Sequence, residues 1–339
     1  MSRRFPAQIT GVAVIAVSAL GLAACGSSGG SNSNSSSGGS SSKPKTVQLI
    51  VGNASDPFYV TMECGAEQEA SKLGVKLTTG GPTSFTPTLQ KPLIDDAEVS
   101  KPGALVVAPT STTALDPDLQ KISGNGTKVI FVDTSSSDSS LGLSRISSNN
   151  MQGGQLAAKN LGQLLGGKGT VAVISMAKGT STTDARVQGF EQEMQSTYPN
   201  IKLLPEQNDT DATTTQATSF IESDITSTPA LSGVFTANTV TAQGVAAGLQ
   251  HASKSGKVKM VTFDAEPAEV QMLSSGVAQL IIAQEPALEG QDGVIQAVNA
   301  MEGKSVTANI PTPLVAISKT NMNAANVKPF IYKGSTAGC

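Results

Sequence analysis

The stretch TVQLIVGNASDPFYVTMECGAEQEASKLGVKLT, residues 46–78, contains one complete unit of the predicted architecture. Val47–Val51 is a short apolar run typical of a buried strand, residues from about Phe58 to Leu73 have helical length and composition, and Val75–Thr78 resembles a second strand. Two strands joined through a helix run parallel in one sheet, because the helix returns the chain to its starting end. The stretch therefore predicts a parallel α/β fold.

The same alternation continues along the chain. Further strand-like runs lie at Ala104–Ala108, Val129–Val132, Val171–Ser175, Gly233–Thr236, Lys259–Phe263 and Leu280–Ala283. Each is followed by a stretch of helical length, which indicates helices on both faces of parallel sheets. About ten strands and helices over about 290 residues are too many for one open sheet. We predict two doubly wound parallel-sheet lobes, with a change of lobe near Ser147–Asn150.

The composition excludes several classes of protein. The chain has 339 residues, 38% of them apolar, so it can bury a core. Its 23 Lys and Arg against 26 Asp and Glu give a net charge of −3 with no basic cluster, which argues against nucleic-acid binding. The single histidine, His251, lies near a predicted helix end, where a solvent-exposed imidazole is favoured. We predict that the chain is not an enzyme and has no catalytic residue, cofactor or metal.

The segment Gly162–Gly169 nearly matches a phosphate-binding loop. It lacks the final Ser or Thr of that motif. It also follows a predicted helix and precedes a strand, which is the reverse of the order that a phosphate-binding loop needs. Its glycines are therefore predicted to end the helix.

The N-terminus is typical of a secreted protein. Arg3 and Arg4 precede an apolar run from Ile9 to Ala24, which is too short for a membrane-spanning helix. The run ends in Leu-Ala-Ala-Cys25, which resembles the lipobox of bacterial lipoproteins, although an ordinary cleavable signal with an incidental cysteine stays open. Residues 26–42 are only Gly, Ser and Asn, as expected of a flexible tether. We predict a signal peptide at residues 1–24, a lipidated Cys25 with a tether through residue 45, and anchoring at the extracytoplasmic face of the cell membrane.

Two further cysteines, Cys64 and Cys339, lie in the predicted extracytoplasmic body. An oxidising compartment favours a disulfide between them, and two free thiols are the alternative. A bridge would tie the C-terminus to the first helix.

Polar side chains follow five of the predicted strands. They are Asn53 to Asp56, Asp133 with Thr134, Asn238, Asp264 and Gln284. Ligands of doubly wound sheets bind at the carboxyl ends of the strands, so these side chains are candidates for one site. Carboxylates and carboxamides match the hydroxyls of a polyol, and Phe58 and Tyr59 could lie against its C–H faces. The pattern predicts a sugar or polyol site.

Residues 46–325 resemble the periplasmic sugar-binding proteins, most closely those of the ribose-binding type. Asp56-Pro-Phe-Tyr-Val60 is similar to the family's Asn-Pro-Phe-Phe-Val turn, and Asn150-Met-Gln-Gly-Gly154 to its Asp-Asn-x-x-Gly-Gly. The segments ending in Asp133, Asn238, Asp264 and Gln284 follow in the family's order. The resemblance implies that aromatic side chains stack on the sugar, that Asp133 and Asp264 accept hydrogen bonds from it, and that Asn238 and Gln284 complete the site.

The chain departs from the ribose-binding pattern at three positions. Thr134 and Asp184 stand where the family has arginines, and Thr210 stands where it has a third aromatic residue, whereas Arg186 keeps the second arginine of its segment. Losing two cations changes the preferred hydroxyl pattern. We expect a neutral monosaccharide or polyol other than ribose. An amine-bearing, acyclic or autoinducer-like ligand stays open, and an anionic sugar is disfavoured.

The resemblance also predicts the organisation and the partners. The first lobe is expected to comprise residues 46–147 and about 285–313, the second 148–284 and about 314–325, with a tail at 326–339. The resemblance implies that the two doubly wound parallel-sheet lobes are joined by a hinge of several crossings, and Gln284 is expected near one of them. The lobes would close on the ligand, and a permease of the ABC (ATP-binding cassette) type would receive it from a monomeric binding protein. A sensor lipoprotein that signals to a membrane receptor or kinase is the alternative, and sequence does not separate the two.

Overall fold

The computed structural model describes residues 45–335, 337 and 339. The predicted signal peptide, Cys25 and the tether through residue 44 lie outside these residues. Of the helices described, none combines the length and the apolar character that crossing a bilayer requires.

Strands and helices alternate through the described residues. The strands are β1 (Thr46–Ile50), β2 (Lys76–Gly80), β3 (Ala104–Val107), β4 (Lys128–Val132), β5 (Arg145–Ser148), β6 (Gly169–Met176), β7 (Ile201–Leu203), β8 (Gln207–Asp209), β9 (Leu231–Thr236), β10 (Lys259–Phe263), β11 (Leu280–Gln284), β12 (Asn309–Thr312) and β13 (Leu314–Ile317). The helices are α1 (Pro57–Leu73), α2 (Pro87–Ser100), α3 (Asp116–Gly124), α4 (Asn150–Leu164), α5 (Ser181–Thr197), α6 (Thr214–Ser227), α7 (Thr239–His251), α8 (Pro267–Ser275) and α9 (Pro286–Met301), and a 3-10 turn spans Lys328–Phe330.

The described strands form two sheets, one in each lobe. The first has the order β12-β5-β4-β3-β1-β2, and all its strands are parallel. The second has the order β13-β11-β10-β9-β6-β7, with β8 also paired to β6, and only β13 is antiparallel to its neighbour. The predicted fold of two parallel α/β lobes is confirmed.

Within residues 45–335, three segments pass between the sheets. The chain leaves the first sheet after Ser148, returns to the first lobe after Gln284, and moves from β12 in the first sheet to β13 in the second across Pro313. Helix α9, which follows the second crossing, packs on α1 of the first lobe so closely that a Cβ atom on Gly290 would lie 2.1 Å from the Met62 carbonyl oxygen. Glycine is therefore required at this helix contact.

Glu289 connects the three crossings. Its Oε1 atom accepts hydrogen bonds from the Ser148 backbone N–H at 3.1 Å, the Ser148 hydroxyl at 3.2 Å and the Thr312 hydroxyl at 2.9 Å. Ser148 ends the strand before the first crossing, Thr312 ends the strand before the third, and Glu289 lies in the helix after the second. Burial raises the pKa of Glu289 to about 8, with Asp133 adding to the rise.

Residues of the predicted C-terminal tail pack onto the body. Tyr332 is 3% exposed and belongs to a hydrophobic cluster that contains Phe58 of the first lobe and Ala265 of the second. The Tyr332 N–H donates to the Ala265 carbonyl at 3.0 Å. A disulfide joins Cys339 to Cys64 of α1, with 5.2 Å between their Cα atoms.

Candidate ligand-binding site

Strand register brings the carboxyl ends of the central strands to one edge of each sheet. In the first sheet, Ile50 pairs with Val107 and Val107 with Phe131, so the loops after β1 and β4 lie close together. In the second, Thr236 pairs with Thr262 and Phe263 with Ile282. The two sets of loops line one cavity between the lobes. Its lining residues are Asn53, Asp56, Phe58, Tyr59, Ser84, Phe85, Asp133, Met176, Thr180, Thr182, Thr183, Arg186, Ala212, Asn238, Thr239, Val240, Asp264 and Gln284.

Both lobes contact each other beside the cavity. The Thr112 N–H in the first lobe donates to the Gly179 carbonyl in the second at 3.0 Å. The Ser135 N–H donates to the Ser181 hydroxyl, also at 3.0 Å. The structure is therefore a closed arrangement of the lobes.

The first-lobe side of the cavity is built on the start of α1. Asp56 is the N-cap of this helix, and its Oδ1 accepts from the Phe58 N–H at 2.8 Å, which satisfies a free donor of the first turn. The following Phe58 and Tyr59 rings meet edge to face with centroids 5.1 Å apart. The Tyr59 hydroxyl donates to Asp133 Oδ2 at 2.7 Å. Because the Tyr59 ring is buried and packs against Phe58, it holds the Asp133 carboxylate in place.

Arg186 lies on the second-lobe side and is 3% exposed. Its Nε donates to Asn150 Oδ1 at 2.7 Å, and Nη1 donates to the Ala237 carbonyl at 2.8 Å. The guanidinium lies over the Phe263 ring at 4.1 Å, and Nη1 is 3.7 Å from Asp264 Oδ2. These four groups of the second lobe fix the position of the cation.

Asp264 is the centre of a second hydrogen-bond network. Its Oδ1 accepts from Gln284 Nε2 at 2.7 Å and from the Tyr332 hydroxyl at 3.0 Å. The Tyr332 oxygen in turn accepts from the Gln284 backbone N–H at 3.1 Å. Gln284 Oε1 has no protein hydrogen-bond partner among the described residues, although it is buried, and it belongs to a side chain that lines the cavity. A buried acceptor without a partner is a site for a ligand hydroxyl or a water.

Burial sets the electrostatics of the site. It raises the pKa of Asp133 to about 7, against the hydrogen bond from Tyr59 and the nearby Arg186, which lower it. Asp56 has its pKa raised to about 6, again chiefly by burial. Within the described lining, three carboxylates face one arginine. No group of three or more His, Cys, Asp or Glu side chains in residues 45–335 is arranged to hold a metal ion.

The structure brings most of the predicted site residues together. Eight line the cavity: Asp56, Phe58, Tyr59, Asp133, Arg186, Asn238, Asp264 and Gln284. Thr134 is buried but borders a neighbouring depression, and Asp184 turns its Oδ2 to the Gly179 N–H at 2.9 Å. Thr210 is exposed in the loop after β8. These three are not among the residues that line the cavity.

Sequence analysis missed several lining residues. Phe85 has no strand pattern around it, yet the loop after β2 carries it into the cavity, where it lies so close to Gly52 that a Cβ atom there would be 2.5 Å from the ring. Thr183 and Thr239 lie in the first turns of α5 and α7, which both begin at the cavity. Both helices follow predicted strands, and this position was the only sequence signal that could have placed the two threonines at the cavity.

Comparison with known proteins agrees with this geometry. Residues 47–305 match the family model described as a periplasmic binding protein domain. The chain is 30% identical to the ribose import binding protein of Haemophilus influenzae over 82% of this chain and 93% of the relative. An ABC transporter solute-binding protein from Agrobacterium vitis, solved with α-D-tagatopyranose, is 38% identical with a TM-score of 0.82, covering 85% of this chain and 99% of that one. A carbohydrate-transporter binding protein from Agrobacterium radiobacter, solved with D-arabinose, is 27% identical with a TM-score of 0.79, covering 84% and 98%.

These matches cover both lobes and the cavity between them, and the relatives are binding proteins of transporters rather than enzymes. The chain therefore belongs to the periplasmic binding protein family, as a type I sugar-binding protein of an ABC transporter.

Proposed function

We propose that this protein binds a neutral monosaccharide or polyol in the cavity between its lobes and delivers it to an ABC permease. The observation that carries the proposal is the placement of two aspartates on the cavity, Asp133 from one lobe and Asp264 from the other. Each accepts a hydrogen bond from a tyrosine hydroxyl. Two fixed acceptors on opposite walls can accept from hydroxyls on opposite sides of one small ring. A ligand that bonds to both walls stabilises the closed state by its greater affinity for it.

The lining supports a sugar ring of moderate size. Phe58, Tyr59 and Phe85 supply aromatic surface, while Asn53, Asn238 and Gln284 supply both donors and acceptors. Arg186 supplies donors only. We favour a ketohexose such as tagatose over ribose, because the tagatose-bound relative is 38% identical to this chain, whereas the ribose import binding protein of Haemophilus influenzae is 30% identical.

A thermal-shift screen tests this function. The panel comprises D-tagatose, D-arabinose, D-allose, D-fucose, D-ribose, alditols and amino sugars, each added to protein that mass spectrometry shows to be ligand-free. A ligand at one hundred times its dissociation constant stabilises the fold by about 2.7 kcal/mol, which is a shift of several degrees. A shift with one neutral sugar supports the proposal, and a flat response across the panel contradicts it.

An amine-bearing polyol is the second candidate. Within the described lining, Asp56, Asp133 and Asp264 give three carboxylates against one arginine, and an ammonium group would balance the excess. A shift with amino sugars alone would favour this ligand class.

The cellular placement is part of the proposal. Cys25 would carry the lipid, and residues 26–42 would form the tether. The body would be monomeric. Its first lobe would comprise residues 46–147 and about 285–313, its second lobe residues 148–284 and about 314–325, and the two lobes would move about the hinge between them. Lipid on Cys25 predicts that the protein partitions with membranes, whereas Cys25→Ser releases it to the soluble fraction. An equal distribution of both forms would contradict the anchor.

A further inference from the structure

The aromatic surface of the cavity belongs to the first lobe. Phe58 and Tyr59 lie in the first turn of α1, and Phe85 lies in the loop between β2 and α2. Among the described residues that line the cavity, those of the second lobe include no aromatic side chain. Because Phe85 comes from a different loop than the other two, it adds a separate aromatic wall.

Phe85 rests on the backbone of Gly52. A Cβ atom on Gly52 would lie 2.5 Å from Cε2 and 2.7 Å from Cδ2 of the Phe85 ring, so the ring would have to shift. The same Cβ atom would lie 2.5 Å from the Tyr59 hydroxyl, which donates to Asp133. The absence of a side chain at Gly52 therefore leaves room for the ring and for the hydroxyl together. A sugar hydroxyl that donates to Asp133 brings the rest of the sugar beside Phe85.

The loop that carries Phe85 is fixed at both ends. At its start, the Pro82 carbonyl accepts a backbone hydrogen bond from the loop after β1 at 2.9 Å. Beyond its end, Gln90 of α2 is 0% exposed, and its Nε2 donates to the carbonyls of Val51 at 3.1 Å and Ala108 at 2.7 Å. All these contacts lie within the first lobe, so the position of Phe85 does not depend on the second.

An aromatic wall distinguishes two ligand classes that hydrogen bonds do not. A cyclic sugar presents several C–H groups on one face, which gains dispersion and C–H contact against a phenyl ring. An acyclic polyol carries the same kind of hydroxyls but has no fixed face. It must lose torsional freedom to form one, and this loss lowers its affinity. Contact with the Phe85 ring therefore favours a cyclic ligand.

We infer that Phe85, placed against the bare backbone of Gly52, makes the site selective for cyclic sugars over acyclic polyols. The inference rests on the proposed function, which leaves these two classes together, and it narrows the ligand to one of them. Phe85 is the side chain that selects, and Gly52 is a positioning residue that acts through it.

Competition calorimetry measures this selectivity. The sugar is D-tagatose, or the cyclic sugar of the panel that binds most tightly, and the competitor is the alditol made by reducing it, which is galactitol for D-tagatose. The quantity compared is the dissociation constant of the alditol divided by that of the sugar. Phe85→Ala should weaken sugar binding by about tenfold and alditol binding by less than about threefold, so this ratio should fall.

Two further substitutions make the result specific. Gly52→Ala should displace the Phe85 ring and lower the ratio, but it also crowds Tyr59. It is therefore combined with Phe85→Ala: if Gly52 acts through Phe85, the added methyl group should cost less sugar affinity in that background than in wild type. Phe220→Ala deletes a partly buried ring that packs in the second lobe and is not part of the cavity lining, so it should leave the ratio unchanged. Melting curves check that each variant folds, and Phe85→Ala decides the selectivity even if Gly52→Ala does not fold.

The outcomes separate this inference from the proposed function. An equal ratio in wild type and Phe85→Ala, including an alditol that competes with the sugar in neither, would overturn the inference and leave sugar binding intact. A wild type that binds an alditol more tightly than every cyclic sugar of the panel would also overturn it, while the proposed function would stand. If neither sugars nor polyols bind, the proposed function fails and the inference fails with it.

Discussion

Asp133 and Asp264 occupy matching positions in the two lobes. Each directly follows the last residue of a strand, β4 or β10, and each has a left-handed backbone, with φ of 57° and 74°. A tyrosine hydroxyl donates to each carboxylate, from Tyr59 at 2.7 Å and from Tyr332 at 3.0 Å. Non-glycine residues rarely adopt positive φ, and backbone strain of this kind concentrates at functional sites. The two aspartates thus form the opposed walls of the cavity.

Substitution of Asp264 separates its side-chain role from its backbone role. Asp264→Ala should weaken ligand binding by about 2 kcal/mol or more, because it removes a buried charge that accepts from Gln284 and faces the ligand. Asp264→Asn keeps a residue type that tolerates positive φ, so it should retain more thermal stability than the alanine variant. Calorimetry and a melting curve check both effects. An unchanged dissociation constant in Asp264→Ala would remove Asp264 from the site.

Tyr332 should act on binding without contacting the ligand. Tyr332→Phe deletes the hydrogen bond to Asp264 and leaves the Gln284 N–H without its acceptor. We expect a loss of about 1 to 2 kcal/mol in binding affinity, since a hydrogen bond to a charged group is lost. The matched variant Tyr198→Phe, whose hydroxyl donates only to the Lys159 carbonyl on the surface, should bind as wild type. If Tyr332→Phe and Tyr198→Phe bind alike in calorimetry, the tyrosine does not orient Asp264.

Local sequence pattern predicted the residues at strand ends because a strand and the turn after it are neighbours in the chain. Asp133, Asn238, Asp264 and Gln284 all reach the cavity in this way. Tyr332 could not be found by this route, since the tail that carries it was predicted apart from both lobes and only tertiary packing places it behind Asp264.

Loop residues were also beyond local pattern. The resemblance to ribose binders marked Thr210 as an aromatic position, but an aromatic residue reaches the cavity from elsewhere, at Phe85 in the loop after β2. Asp184 matched a family position in sequence, yet its carboxylate accepts from the Gly179 N–H before the helix and so turns away. The spacing of residues in the sequence does not show that a backbone N–H, here that of Gly179, will take the carboxylate that the family pattern assigns to the ligand.

Glu289 should make stability depend on pH. Its folded-state pKa of about 8 lies above the ordinary value of 4.5, so the folded protein binds the proton more tightly than the unfolded chain does. Its contribution to the free energy of unfolding is full below pH 4.5 and is lost as the pH rises toward 8, by up to about 1.4 kcal/mol per pH unit. Glu289→Gln should flatten this part of the profile in urea titrations between pH 5 and 8. A profile identical to wild type would show that Glu289 stays ionised at the hinge.

Cys339→Ser should lower the thermal stability of the oxidised protein. The bridge to Cys64 closes a loop with a sequence separation of 275 residues. The chain-entropy model gives a stabilisation of about 5 kcal/mol for a loop of this length, and measured disulfides often contribute less. The bridge also ties the segment that carries Tyr332 to α1, so the variant should bind ligand more weakly as well. A reductant should lower the melting temperature of wild type and leave that of Cys339→Ser unchanged. If wild type melts at the same temperature with and without reductant, the two cysteines are not joined in the native protein, and Tyr332 is held in place by packing alone.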